Sequence, residues 1–183
     1  RLVNRNPRLD EQECLALLRE AIARYPRYSR INVLKNQESN LLSPVLSLMM
    51  NEVYPGSPMR IEVTYRNLPG ISFKLYRVNL PVESASLAQV NAKTIAKYGT
   101  LLRQPSVKLP ETPDYKVRKD TVTLEGLEAG LYYVLAIPDG HREAVEGTLV
   151  NVTGLQVIHR ALPDGQQEMV VLDKRSGHPV PGA

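Results

Sequence analysis

The sequence predicts a mainly β protein: an antiparallel β-sandwich preceded by an N-terminal helical segment and carrying one inserted helix at about 84–103. Three observations carry this. Short runs of β-forming residues recur at similar spacing from residue 43 onward, each closed by Gly, Pro, Asn or Asp. Before them, residues 10–25 place apolar side chains at helical spacing. Between two of the runs, a longer stretch switches from a period of two to a helical one.

The first helix has both ends written in the chain. Asp10 is placed as N-cap, and Glu13 three residues on can reach back to complete a capping box. Cys14, Leu15, Leu18, Ile22 and Tyr25 form one apolar face, and Pro26 stops the helix. Its simplest role is to pack on a neighbour. The run "ALLREAIARYP" also resembles the second helix of a tetratricopeptide-type hairpin, but no second copy follows. A short helical turn is expected around 31–40, which closes a lead-in of residues 1–42.

From there the texture is β. "VLSLMMNEVY" is the first run. "MRIEVTYRNL" alternates, with Ile61, Val63 and Tyr65 on one face and Glu62, Thr64 and Arg66 on the other. Pro69-Gly70 reads as a turn, and "ISFKLYRVNL" returns with Ile71, Phe73 and Leu75 aligned, so the two runs are expected to form a hairpin. "YKVRKDTVTL", "GLYYVLAIPDG", "EGTLVNVTG", "LQVIHRAL" and "QEMVVLD" follow. The helical interruption, "SASLAQVNAKTIAKYGTLLRQP", places Leu87, Val90, Tyr98 and Leu101 on one stripe and ends before Pro105. It is expected to pack on the sandwich through Leu87, Val90 and Leu101.

Composition excludes more than it selects. The 183 residues carry a net charge of +4, but residues 1–35 hold eight basic and four acidic side chains, so the remaining chain is neutral. A solvated Arg face on a helix accounts for that better than nucleic acid does. With a single cysteine, Cys14, there is no internal disulfide and no cysteine-based metal cluster. No apolar run approaches the roughly 20 residues that span a bilayer. There is neither an initiator Met nor a signal peptide, so the chain reads as an internal piece of a longer protein.

No constellation for chemistry emerges. His141, His159 and His178 lack metal-ligand spacing, and no nucleophile elbow, phosphate loop or dinucleotide fingerprint occurs. Cys14 lies in "DEQEC", among acids that discourage a thiolate, and reads as a packed thiol. Asn151-Val152-Thr153 matches a glycosylation sequon. Catalytic, cofactor-binding and metal residues are therefore predicted as none, cofactors as none, and the chain as not an enzyme.

Three motifs taken together point further. "VTYRNLPGISFKLYRV" (63–78) resembles a pattern in large α2-macroglobulin-like proteins of Bacteroidetes-type bacteria, in which one strand ends in Tyr-Arg-Asn and the next carries an aromatic followed by Tyr-Arg. "LEGLEAGLYYVLAIPDG" (124–140) is similar to a late strand of a macroglobulin domain. "NVTGLQVIHRALPDGQQEMVVLDKRSGHPVPGA" (151–183) resembles the opening of the following macroglobulin domain, with its Asp-x-x-Ser-Gly-x-Pro turn. The resemblance spans about 43–183 and implies a macroglobulin or Ig-like sandwich of MG2 type at 43–152. Residues 153–183 would then be the truncated first hairpin of a following domain. Left without a sandwich to join, residues 155–183 are expected to be frayed, packed on the first domain or paired with another copy.

The family implies a secreted, periplasmic or cell-envelope protein of bacterial origin that traps proteases: an endopeptidase inhibitor whose serial domains move as bodies when a bait segment is cut. No Cys-x-Glu-Gln thioester motif and no bait segment occur here, so no functional residue is carried over. This piece would be non-catalytic scaffold. Its partners would be the neighbouring domains of the parent chain and, through the full-length protein, proteases, with no nucleic acid and no membrane span. The alternative is a surface-adhesion or glycan-binding sandwich, for which Tyr65, Tyr76, Tyr132 and Tyr133 could line a face.

Overall fold

A computed structural model describes residues 10–80, 92–141 and 144–182. Arg1, Arg5 and Arg8 of the basic segment lie outside the described residues, as do residues 84–91 of the expected helix with Leu87 and Val90. Helix α1 (Glu11–Arg24) begins with the capping box expected of it. The Glu13 N–H donates to Asp10 Oδ1 at 2.8 Å and the Asp10 N–H to Glu13 Oε2 at 3.3 Å. It buries Leu15 and Leu18. Helix α2 (Ile31–Leu42) lies at the short helical turn expected around 31–40, runs to 12 residues and buries none of them. Arg19 Nε meets Glu38 Oε1 at 2.8 Å across the pair.

Among the described residues ten strands follow: β1 (Val45–Met50), β2 (Met59–Arg66), β3 (Gly70–Val78), β4 (Gly99–Arg103), β5 (Ser106–Lys108), β6 (Arg118–Leu124), β7 (Gly130–Pro138), β8 (Glu146–Val152), β9 (Leu155–Ala161) and β10 (Gln167–Asp173). One sheet has the order β1-β2-β6 and a second β4-β3-β7-β8 with β5 on β3, every pairing antiparallel. The inner faces of the two sheets form one core. Ile61, Val63 and Tyr65 of β2 meet Ile71, Phe73 and Leu75 of β3, Tyr132, Val134 and Ala136 of β7, and Val150 and Val152 of β8. These are the alternating positions of each strand, so the period-two pattern translates directly into the antiparallel sandwich that the sequence predicts.

Two expectations are corrected. The runs on either side of Pro69-Gly70 do not pair as a hairpin. β2 pairs β1 and β6 in one sheet, β3 pairs β4, β5 and β7 in the other, and residues 67–69 form an arch between the sheets. Asn67 turns the chain there with a left-handed φ of 54°, a conformation Asn tolerates, and Leu68 is driven into the core. The helix, in turn, ends early. α3 covers Ala92–Tyr98, and residues 99–103 are strand β4, pairing with β3. A Cβ on Gly99 would lie 2.6 Å from the Ile95 carbonyl oxygen, so the chain passes the last helical turn more closely than any side chain allows. Leu101 then stands opposite Tyr76 at a bulge and is 44% exposed rather than buried.

β9 and β10 belong to neither sheet of the sandwich. They form a two-stranded ribbon in continuous register from Leu155↔Asp173 to Ala161↔Gln167. Every residue of β9 is exposed. Beyond the turn at 173–177 the chain returns along β10: Leu172 faces Pro179, and the Val180 N–H donates to the Val171 carbonyl at 2.9 Å.

Candidate functional site: the junction of sandwich and ribbon

The histidines do not converge. His159 is exposed on β9 opposite Met169. The backbone of His178 helps close the β10 turn, and His141 follows β7 with its N–H on the Pro138 carbonyl. Among the described residues no three His, Cys, Asp or Glu side chains gather where a metal could sit. Cys14 is half-buried, and its thiol is pushed above the ordinary range by burial first, then by the charges of Glu11, Asp10 and Glu13. Asn151 is exposed on β8. Of the four tyrosines that could have lined a binding face, Tyr65 and Tyr132 are core residues, since both point between the sheets. Tyr76 and Tyr133 are half-buried cross-strand partners on the outer side of the second sheet, with Leu101 and Leu149 continuing the row.

A polar cluster lies where the sandwich meets the ribbon. Strand β8 ends at Val152 and β9 starts at Leu155, so Thr153-Gly154 is the entire covalent connection. A second connection runs through space. The β1–β2 loop (51–58) folds over the junction, with Val53 bridged in parallel to Val152 and the Thr153 N–H on the Val53 carbonyl at 3.3 Å. From the other direction comes the β10 turn, whose Lys174 N–H donates to the Gly154 carbonyl at 2.7 Å.

Tyr54 stands at the centre. Its ring lies under two cations, with Arg175 Cζ 5.5 Å and Lys174 Nζ 6.0 Å from the ring centroid. Lys174 Nζ also reaches Glu52 Oε1 at 3.4 Å, and Arg175 Nη2 donates to Ser57 Oγ at 3.2 Å. The Lys174 side chain is 13% exposed, so its stem is covered by the loop while its charge is shared between carboxylate and ring.

Both partners are shaped before they meet. On the sandwich side, the Gly56 N–H donates to the Leu127 carbonyl at 2.7 Å, and Gly126 presses so closely on this loop that a Cβ there would sit 2.7 Å from the Gly56 carbonyl oxygen. On the ribbon side, Asp173 Oδ1 accepts from the Ser176 N–H and Ser176 Oγ, both at 2.8 Å, and from the Arg175 N–H at 3.1 Å. Those bonds, led by the Ser176 N–H, hold the Asp173 carboxyl below its usual range, and Gly177 completes the turn with a φ of 71°. The sequence shows the turn as a motif. It gives no sign of what the turn contacts, because Ser57 and Arg175 are 118 residues apart.

These features define the class first: an Ig-like antiparallel sandwich with a helical lead-in and an appended β-ribbon. Comparison with solved structures then places the fold. Native α2-macroglobulin from Escherichia coli, in a fragment spanning domains MG0-NIE-MG1, superposes with a TM-score of 0.57 at 15% identity, covering 74% of this chain and 47% of that one. A fragment spanning NIE-MG1 superposes at 0.54 with 15% identity, covering 76% and 74%. The present chain thus spans about half of the longer fragment, and the likeness is one of fold. No protein-family model and no curated protein matches the sequence. No described helix is long and apolar enough to cross a membrane.

Proposed function

We propose that this chain is a non-catalytic scaffold domain of a large bacterial α2-macroglobulin-like protein, with the β9–β10 ribbon as the first hairpin of the following macroglobulin-like domain. The observation that carries the proposal is the ribbon itself. Leu155, Val157, Ile158 and Met169 are each roughly half exposed, on both of its faces, although a two-stranded ribbon is marginally stable in water without a sheet or helix to cover it. A sandwich complete in its own core, followed by a hairpin with none, is how serial β-domains meet. The shared fold with the E. coli fragments and the three motifs support the same reading.

The domain bounds follow as 1–42, 43–152 and 153–183, with the middle unit of MG2 type and the parent of the Bacteroidetes kind its motifs resemble. The parent would reside in the periplasm, at the cell envelope or outside the cell, and act as a protease trap, this domain contributing rigidity rather than chemistry. Incubation of the full-length parent with a broad-specificity protease tests this by small-angle scattering and by activity toward large against small substrates. Cleavage-linked compaction, with loss of activity on large substrates only, is the expected result. Cleavage without change of shape or capture contradicts trapping.

A further inference from the structure

We infer that the Tyr54 ring, gripped by Lys174 and Arg175, is a latch that sets the angle between the sandwich and the β9–β10 ribbon. The covalent link alone does not set it. Thr153-Gly154 joins strands of two different sheets, and a Cβ on Gly154 would meet nothing within 4 Å. Two residues with a glycine among them leave several rotations available. The Thr153 N–H on the Val53 carbonyl ties one linker residue to the sandwich, and the Lys174 N–H on the Gly154 carbonyl ties the other to the ribbon. The rotation left between them is removed where the preformed β10 turn meets the preformed 52–57 loop on a ring, a carboxylate and a hydroxyl.

The contact suits reversible use. It is made of cation–ring, ion-pair and hydrogen-bond contacts, and each cation contact at a partly exposed site is individually weak. The latch therefore opens as a unit when its central ring is lost, while neither the sandwich core nor the ribbon register has to change. Small movements at this point are also amplified. Seven residues of strand extend about 23 Å from the junction, so the ribbon tip travels about 4 Å for each 10° of rotation. A rigid body on a short hinge with a separable contact is the arrangement that domain rotations use. The latch rests on this geometry alone, whether or not the ribbon belongs to a further domain.

The test is a pulsed dipolar distance measurement on the 183-residue chain. Cys14→Ser removes the native thiol, and Ser47→Cys on β1 with Gln166→Cys at the ribbon tip carry the spin labels, both sites being exposed. The unmodified junction gives a single narrow distance peak. Tyr54→Ala loses that peak and gives a broad distribution, whereas Tyr54→Phe, which keeps the ring, retains it. Lys174→Ala with Arg175→Ala reproduces the broadening from the ribbon side without altering the sandwich. Distributions for Tyr54→Ala and for the double variant that superimpose on the parent's overturn the latch. So does broadening in Tyr54→Phe, since the ring would then not be the gripping surface.

Discussion

Thr112 accepts the Asn67 backbone N–H on its hydroxyl oxygen at 2.8 Å and donates toward Asn67 Oδ1 at 3.4 Å. The same Asn67 sends its side-chain amide to the carbonyls of Leu41 and Ser43, at 2.8 and 3.4 Å. Arg66 beside it donates to the Asn40 carbonyl at 2.5 Å, and Gln12 of α1 to the Pro113 carbonyl at 2.8 Å. The helical lead-in is thus fastened by hydrogen bonds to the sandwich at the arch between its two sheets.

Thr112→Val tests that fastening. It keeps the volume of a side chain that is 7% exposed and leaves the Asn67 N–H without an acceptor, so a loss of about 1–3 kcal/mol is expected in urea unfolding. The exchange rate of the Asn67 amide should rise with it. An unchanged midpoint together with unchanged exchange would mean that the Thr112 hydroxyl does not hold the arch.

Gly126→Ala addresses the loop that carries Tyr54. The new methyl would lie 2.7 Å from the Gly56 carbonyl oxygen and 2.9 Å from that of Ser57, both backbone atoms that cannot swing aside. Overpacking of this kind costs about 1–3 kcal/mol, and the loop has to lift away from Leu127. Thermal unfolding reads the stability loss, and the Gly56 amide resonance reads the displacement.

How much of this was legible beforehand depends on how local the cause is. Asp10 and Glu13 cap α1 as their spacing says, because a capping box involves only four consecutive residues. Ile61, Val63, Tyr65, Ile71, Phe73 and Leu75 lie in the core as their alternation says, since the strand period fixes the face. Alternation does not name the partner strand, so an arch at Pro69-Gly70 and a hairpin look alike in one dimension. Leu101 fits a helical stripe and also a strand, and its pairing with Tyr76 decides between them. Tyr54 sits in "NEVYPGSP", a plain turn, and acquires its role only from two cations that follow more than a hundred residues later.

The β10 turn carries a pH dependence of definite sign. Bonds from Ser176 and Arg175 favour ionised Asp173 in the folded chain, so its carboxyl titrates below the unfolded value of about 3.9. The ordering this provides is fully present above that value and is lost as pH falls through the lower folded one. A pH titration followed at the Ser176 amide resonance should show that transition, and Asp173→Asn should abolish it. A Ser176 amide indifferent to pH between 5 and 2 would contradict this account of the turn.

Cys14 should be a slow nucleophile. Burial and the Glu11 charge both favour its thiol, so iodoacetamide at pH 8 should alkylate it more slowly than free cysteine under the same conditions. Glu11→Gln should speed the reaction modestly. Alkylation as fast as that of free cysteine would show a thiol neither covered nor electrostatically suppressed.

Hydrogen–deuterium exchange of the 183-residue chain tests most directly the claim that a complete sandwich is followed by a hairpin with no core of its own. Amides of β2, β3 and β7 should exchange only through global unfolding, because they lie in the central strands of the two sheets. Those of β9, exposed along its whole length, should exchange orders of magnitude faster, through local opening of the ribbon. Equal protection in ribbon and sandwich would contradict the account, because the two would then unfold as one cooperative unit.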